Sequence, residues 1–223
     1  MMYPKSILLS CALLANSSFG VVLFSDSFEN PPDVVGEAPV GWNVSNAVRI
    51  FVTDARASVG TQSLFLSNSS LRTVTSGTPI AIPGGGEDLV FSFDYAIADS
   101  IESNEGLIGF ALDFGSGFED VIIDLGQSNG YANVSNYSGS TIVLPNAAGG
   151  DTAFFSYEVT VPASYYGAAT DVSMRFRTNS SAGGEDFYLD NVSVSAIAIP
   201  EPATYAMLMS IGVLMLVGYC RRK

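Results

Sequence analysis

The chain has 223 residues, 48% of them hydrophobic, and carries 22 Asp and Glu against nine Lys and Arg for a net charge of −13. There is no histidine, and the only cysteines are Cys11 and Cys220. This excludes Ser-His-Asp and Cys-His catalysis and His-ligated zinc, and the acidic balance repels nucleic acid and anionic lipid headgroups.

The N-terminus reads as a secretory signal peptide. Lys5 is the positive end, Ile7 to Ala15 the apolar stretch, and Ser18-Phe19-Gly20 puts small residues at the −3 and −1 positions. Cleavage is expected after Gly20, with Ala15 to Ser17 as the alternative. Leu8-Leu9-Ser10-Cys11 is a superficial lipoprotein box, but the apolar run before Cys11 is too short for one.

Residues 21–198 form the body. It holds five basic residues, all Arg, against 21 carboxylates, a net of −16. It contains neither Cys nor Lys, so no intramolecular disulfide staples it and Lys-based Schiff chemistry is excluded. Some 180 residues suffice for one domain with its own core.

Three segments alternate with period two, the mark of strands with one wet face. Leu89, Phe91, Phe93, Tyr95 and Ile97 share one face, as do Phe155, Tyr157, Val159 and Val161, and Val172, Met174 and Phe176. Further strands are expected at 48–53, 63–67, 107–114, 120–125, 131–134 and 187–195. Glycine-rich turns at 84–86, 115–117, 149–150 and 183–184 separate them. No segment of the body sustains a 3.6-residue period. An all-β, two-sheet antiparallel jelly-roll sandwich follows.

The body opens with Phe24-Ser25-Asp26-Ser27-Phe28-Glu29-Asn30 and then Gly41-Trp42. Gly60-Thr61-Gln62-Ser63-Leu64 lies between, and Tyr188-Leu189-Asp190-Asn191-Val192 closes it. This order resembles the galactose-binding-like jelly rolls, which include many carbohydrate-binding modules. The resemblance implies a structural calcium between first and last strands, at Asp26, Glu29 and Asp190. Calcium wants six to eight oxygens, and carboxylates gathered from the chain ends would repel without a cation. The other reading has Asp190 facing solvent or capping a turn. Glu87-Asp88, Glu185-Asp186, Asp113 and Glu119-Asp120 read as solvated loops, with weak calcium sites as the alternative.

Sugar recognition calls for flat aromatic rings beside hydrogen-bonding groups. Tyr165-Tyr166, after Pro162, and Tyr131 and Tyr137, in a Ser/Asn/Gly-rich stretch, are the candidates. Trp42 reads as core. Carboxylate pairs for glycoside hydrolysis can be drawn anywhere in so acidic a chain and none is specific. The expectation is a non-enzymatic protein.

The chain ends in Ile199-Pro200-Glu201-Pro202-Ala203-Thr204-Tyr205, an apolar run to Tyr219, and Cys220-Arg221-Arg222-Lys223. Residues 203–219 carry no charge and as a helix reach roughly 25 Å, the short end of a bilayer span. The terminal cations favour a cytoplasmic end. A plain membrane anchor is one reading. The order of parts resembles the PEP-CTERM sorting signal of exported proteins in Gram-negative bacteria, placing the signal at 199–223. That resemblance implies recognition of Pro200, Glu201, Pro202, Arg221 and Arg222 by an exosortase, a membrane protease-transpeptidase. It also implies passage through secretion machinery and signal peptidase, transient anchoring, then residence at the cell surface or in the extracellular matrix. Three roles stay open: a surface or matrix component engaging exopolysaccharide, a dedicated calcium-stabilised carbohydrate-binding module, and, more distantly, a carboxylate glycosidase.

Overall fold

The computed structural model describes residues 20–29, 37–67, 71–84, 86–98, 106–123, 153–180 and 186–197, with Ser210, Gly218 and Arg221 besides. The strands all belong to one unit, Gly20–Ile199. Ser210 and Gly218 are helical and Arg221 lies in a turn, all three exposed. The expected signal peptide, the rest of the sorting signal and span, Tyr131, Tyr137 and the 131–134 strand lie outside the described residues. Among the described residues, no helix is long and apolar enough to cross a membrane.

Within the described part of the Gly20–Ile199 unit, twelve strands and one helical turn follow in chain order. They are β1 (Val21–Asp26), β2 (Trp42–Val44), β3 (Ile50–Thr53), β4 (Ser63–Leu66), β5 (Arg72–Ser76) and β6 (Ile80–Ala81). Then come β7 (Asp88–Ala98), β8 (Gly106–Asp113), β9 (Glu119–Ile123), β10 (Phe155–Val161), α1 (Ala163–Tyr166), β11 (Asp171–Ser180) and β12 (Asp186–Ile197). The first sheet runs β10-β7-β12-β4-β3, with β1 also on β12. The second runs β2-β5-β11-β8-β9, with β6 also on β11. Every pairing is antiparallel. This is the two-sheet jelly-roll sandwich that the alternating pattern predicts.

The inward residues of the two sheets meet in an aromatic core. Phe93 of β7 touches Phe110 of β8 and Phe176 of β11, with ring centroids 5.2 and 5.0 Å apart. Trp42 is buried there against Phe28 and Phe176, which settles it as core. Edge-to-face and offset aromatic pairs of this kind add about 0.5–1.5 kcal/mol each beyond area burial.

The outer faces differ. On the first sheet, Phe51, Phe65 and Tyr188 are register partners in one row across β3, β4 and β12, with Arg56 over the Tyr188 ring. The Asp54–Gln62 loop folds over this face. On the second sheet, the residues turned away from the core are polar or small, notably Thr73, Thr75, Gly109, Ala111, Arg175 and Arg177.

Candidate functional site

The three carboxylates expected to share a calcium are not gathered into one ligand set; each is occupied by protein donors. Asp26 ends β1. Its Oδ1 accepts the Phe28 N–H at 2.8 Å, closing a turn in which Phe28 has φ of +55°, and its Oδ2 accepts Trp42 Nε1–H at 2.7 Å. Glu29 accepts the N–H groups of Thr61 and Gln62 at 2.8 and 3.0 Å and the Thr61 hydroxyl at 3.0 Å. These backbone donors hold its carboxyl below the usual carboxylate range.

Asp190 is fully inaccessible rather than solvent-facing. Its Oδ2 accepts the Ser58 and Val59 N–H groups at 2.7 and 2.9 Å, and its Oδ1 the Asn191 N–H at 2.6 Å. Across the β7–β12 ladder it faces Asp94. Asp94 accepts the hydroxyls of Ser58 and Ser156 and the Asn191 amide. Burial pushes Asp190 up, and the nearby Asp94 charge adds to the rise, against the lowering effect of its three N–H partners. Asn191, at φ of +48°, opens the bulge that turns β12 after Asp190. No group of three or more Asp, Glu, His or Cys among the described residues is arranged to hold a metal ion.

Two of the loop acids, Asp113 and Asp88, are engaged by backbone donors as well. Asp113 Oδ1 accepts the Gly115 and Gly117 N–H groups at 2.7 and 2.9 Å. Asp88 Oδ1 accepts the Ala163 N–H at 2.9 Å, capping α1 from another strand.

The tyrosine pair divides. α1 is one turn after Pro162, ended by Gly167 at φ of +58°. Successive residues on a helix point about 100° apart, so the two rings cannot share a face. Tyr166 is buried, stacked on Phe114 at 5.5 Å and 12°, and donates to the Glu87 carbonyl. Burial raises its phenol, and Glu87 and Asp88 add to the rise. Tyr166, expected as a sugar-binding ring, is thus packed into the sandwich with little of its ring accessible. Tyr165 is 36% exposed, meets Phe114 edge-on at 6.3 Å, and donates its hydroxyl to Glu119 Oε2.

Tyr165, Phe114, Ser116, Gly117 and Glu119 line a cleft of about 200 Å³ whose floor is Leu112 and Tyr166. It combines an accessible ring, the Glu119 carboxylate and a glycine turn whose Gly115 and Gly117 N–H groups are held by Asp113. Sequence reasoning read Glu119 as a loop acid and did not place it or Phe114 beside Tyr165, because the turn after β8 and the start of β9, about 50 residues upstream, supply them. Apart from being an aromatic next to a Gly loop, Phe114 gave no signal.

No protein-family model matches the sequence, and neither does any curated protein. Among solved structures, a CBM22 xylan-binding domain from Paenibacillus barcinonensis is similar, with 14% identity over 81% of this chain and 97% of its own and a TM-score of 0.45. The K3 cleaved adhesin domain of Lys-gingipain from Porphyromonas gingivalis is similar at 13% identity, 78% and 99% coverage and a TM-score of 0.45. The enzymatically active domain of tailspike protein 4 from bacteriophage CBA120 is similar at 16% identity, over 71% of this chain and 20% of its own, with a TM-score of 0.41. Likenesses at this level assign no activity to the chain.

Proposed function

We propose that this is an exported, non-enzymatic β-sandwich of the bacterial surface or extracellular matrix, sorted through its C-terminal signal by an exosortase, that engages polysaccharide at the Tyr165 cleft. The observation that carries the glycan reading is the Tyr165 ring. It is accessible, fixed by Phe114 and Glu119, and bordered by polar groups. Such a ring offers a sugar an apolar face at low cost in side-chain entropy. The order Pro200-Glu201-Pro202, apolar run, Arg221-Arg222 supports the sorting reading.

Calorimetric titration of the exported protein with the producing cell's own exopolysaccharide, in calcium and in chelator, tests the reading. Saturable heat that Tyr165→Ala weakens at least tenfold is the expected result. Tyr166→Ala should instead lower stability by about 3 kcal/mol, as loss of a buried aromatic does. An absence of heat from folded protein in both buffers would remove the glycan role. Mature protein that retains residues 207–223 in cells with active exosortase would remove the sorting role.

A further inference from the structure

The outer face of the second sheet holds an arginine that makes no ion pair among the described residues, in a body of 21 carboxylates. Met174 and Phe176 point into the core, so Arg175 and Arg177 point out. Arg175 is the register partner of Thr75 and Ala111, and Arg177 of Thr73 and Gly109. Gly109 and Ala111 present no bulk, so both guanidinium groups can lie across β8. Arg177 Nη2 reaches Asp120 Oδ2 on β9 at 2.7 Å. The Arg175 guanidinium sits 4.3 Å from the centroid of the Phe118 ring. Among the described residues Arg175 makes no ion pair, and its buried Nε has no hydrogen-bond partner. Burial and Arg177 both weaken its hold on its proton, while Asp120 and Asp113 act the other way. Asp113 is turned to the Gly115 and Gly117 amides.

We propose that Arg175, stacked on Phe118, is a binding site for a carboxylate borne by a polysaccharide, with Thr75, Thr73 and Asn43 facing the sugar hydroxyls. The inference rests on the polysaccharide reading and adds to it a second site and a ligand class. A guanidinium pinned by one face to an aromatic ring keeps its edge donors in a planar fork, the geometry that takes a carboxylate through two parallel hydrogen bonds. The threonines and Asn43 lie in the same cross-strand rows, on β5 and β2. Charge complementarity is local. The body's net of −16 opposes a densely charged polyanion such as nucleic acid, while a Debye length of about 8 Å confines the arginine's attraction to a carboxylate that reaches it.

The test titrates the full exported protein with trigalacturonic acid and with its carboxyl-reduced counterpart, in chelator at physiological salt. The wild type should bind the acid and not the reduced sugar. Arg175→Gln should weaken binding at least tenfold. Thr75→Glu, which sets a carboxylate opposite Arg175 on the neighbouring strand, should do the same while its melting temperature shows an intact fold. Arg56→Gln makes the same change in net charge on the outer face of the other sheet, over Tyr188, and should bind as the wild type does. Equal binding of the reduced sugar, unchanged binding by Thr75→Glu, or no heat with trigalacturonic acid would overturn the site. Failure of the polysaccharide reading itself is separate, seen as no heat with the cell's own exopolysaccharide.

Discussion

Glu29 and Asp190 grip the same loop with the same chemistry, yet their carboxyls move in opposite directions. Each accepts backbone N–H groups from the Asp54–Gln62 segment. Glu29 does so near the surface, where the N–H donors of Gln62 and Thr61 outweigh a smaller loss of hydration and favour its charge. Asp190 does so with no access to solvent and with Asp94 opposite, so loss of hydration outweighs three N–H donors. Hydrogen bonds alone therefore do not set the sign; the medium around them does. The same difference decides what each residue is worth to the fold.

The largest effect is expected from Asp190→Ala. It strands the Ser58 and Val59 amides under a covered face, and unfolding in urea should show a loss of about 2–4 kcal/mol. Gly60→Ala should come next. Gly60 has φ of +70°, and an added Cβ would lie 2.2 Å from Glu29 Oε1, so the loop is strained and Glu29 displaced together. About 1–2 kcal/mol is expected by the same measurement. Glu29→Gln should have the smallest effect at neutral pH, because the exposed carboxylate is replaced by an amide that still accepts.

The pH dependence separates the two more sharply. Asp190 has a folded value above its usual 3.8, so it lowers stability at neutral pH and this loss is relieved as pH falls through the folded value. Glu29 has a folded value below its usual 4.5, so its contribution is present above 4.5 and is lost as pH falls through the lower folded value. In thermal melts from neutral pH down to about 4, the wild type should gain on Asp190→Asn. Its advantage over Glu29→Gln should shrink as acid is approached. Parallel profiles for the two variants would mean that burial does not distinguish these carboxylates.

Much of the sandwich was legible because strands half in water keep a strict alternation. Leu89 to Ile97, Phe155 to Val161 and Val172 to Phe176 lie in β7, β10 and β11 with the inward sets buried except Phe155, which is half-buried; β7 departs from the one-wet-face reading, because Val90, Asp94 and Ala96 on its other face are buried too. The expected strands at 48–53 and 187–195 appear as Ile50–Thr53 and Asp186–Ile197. β5, Arg-Thr-Val-Thr-Ser, was missed because Val74 is its one apolar inward residue, and a single position carries no period. α1 was missed because one turn is too short to show 3.6-residue spacing. The candidate sites were less legible. Adjacent Tyr165 and Tyr166 look alike in sequence, and only their rotation about a helical turn, set by Phe114, exposes one and buries the other. Asp190 is a buried acid within an apolar strand. Its partners are amides of a loop more than 130 residues upstream, and no local pattern announces an amide.

The topology adds a matter of timing. β12 is the last strand of the sandwich, and it is also the one on which β1, β4 and β7 all assemble. A chain delivered from its N-terminus can pair β3 with β4 and β7 with β10, but these remain separate ribbons with unpaired edges until Asp186–Ile197 arrives. Such long-range closure is slow, and it leaves edges open to other chains meanwhile. Closure of the first sheet is thus a checkpoint on complete synthesis: a chain stopped before Asp186 has the residues of a sandwich and no seam to join them.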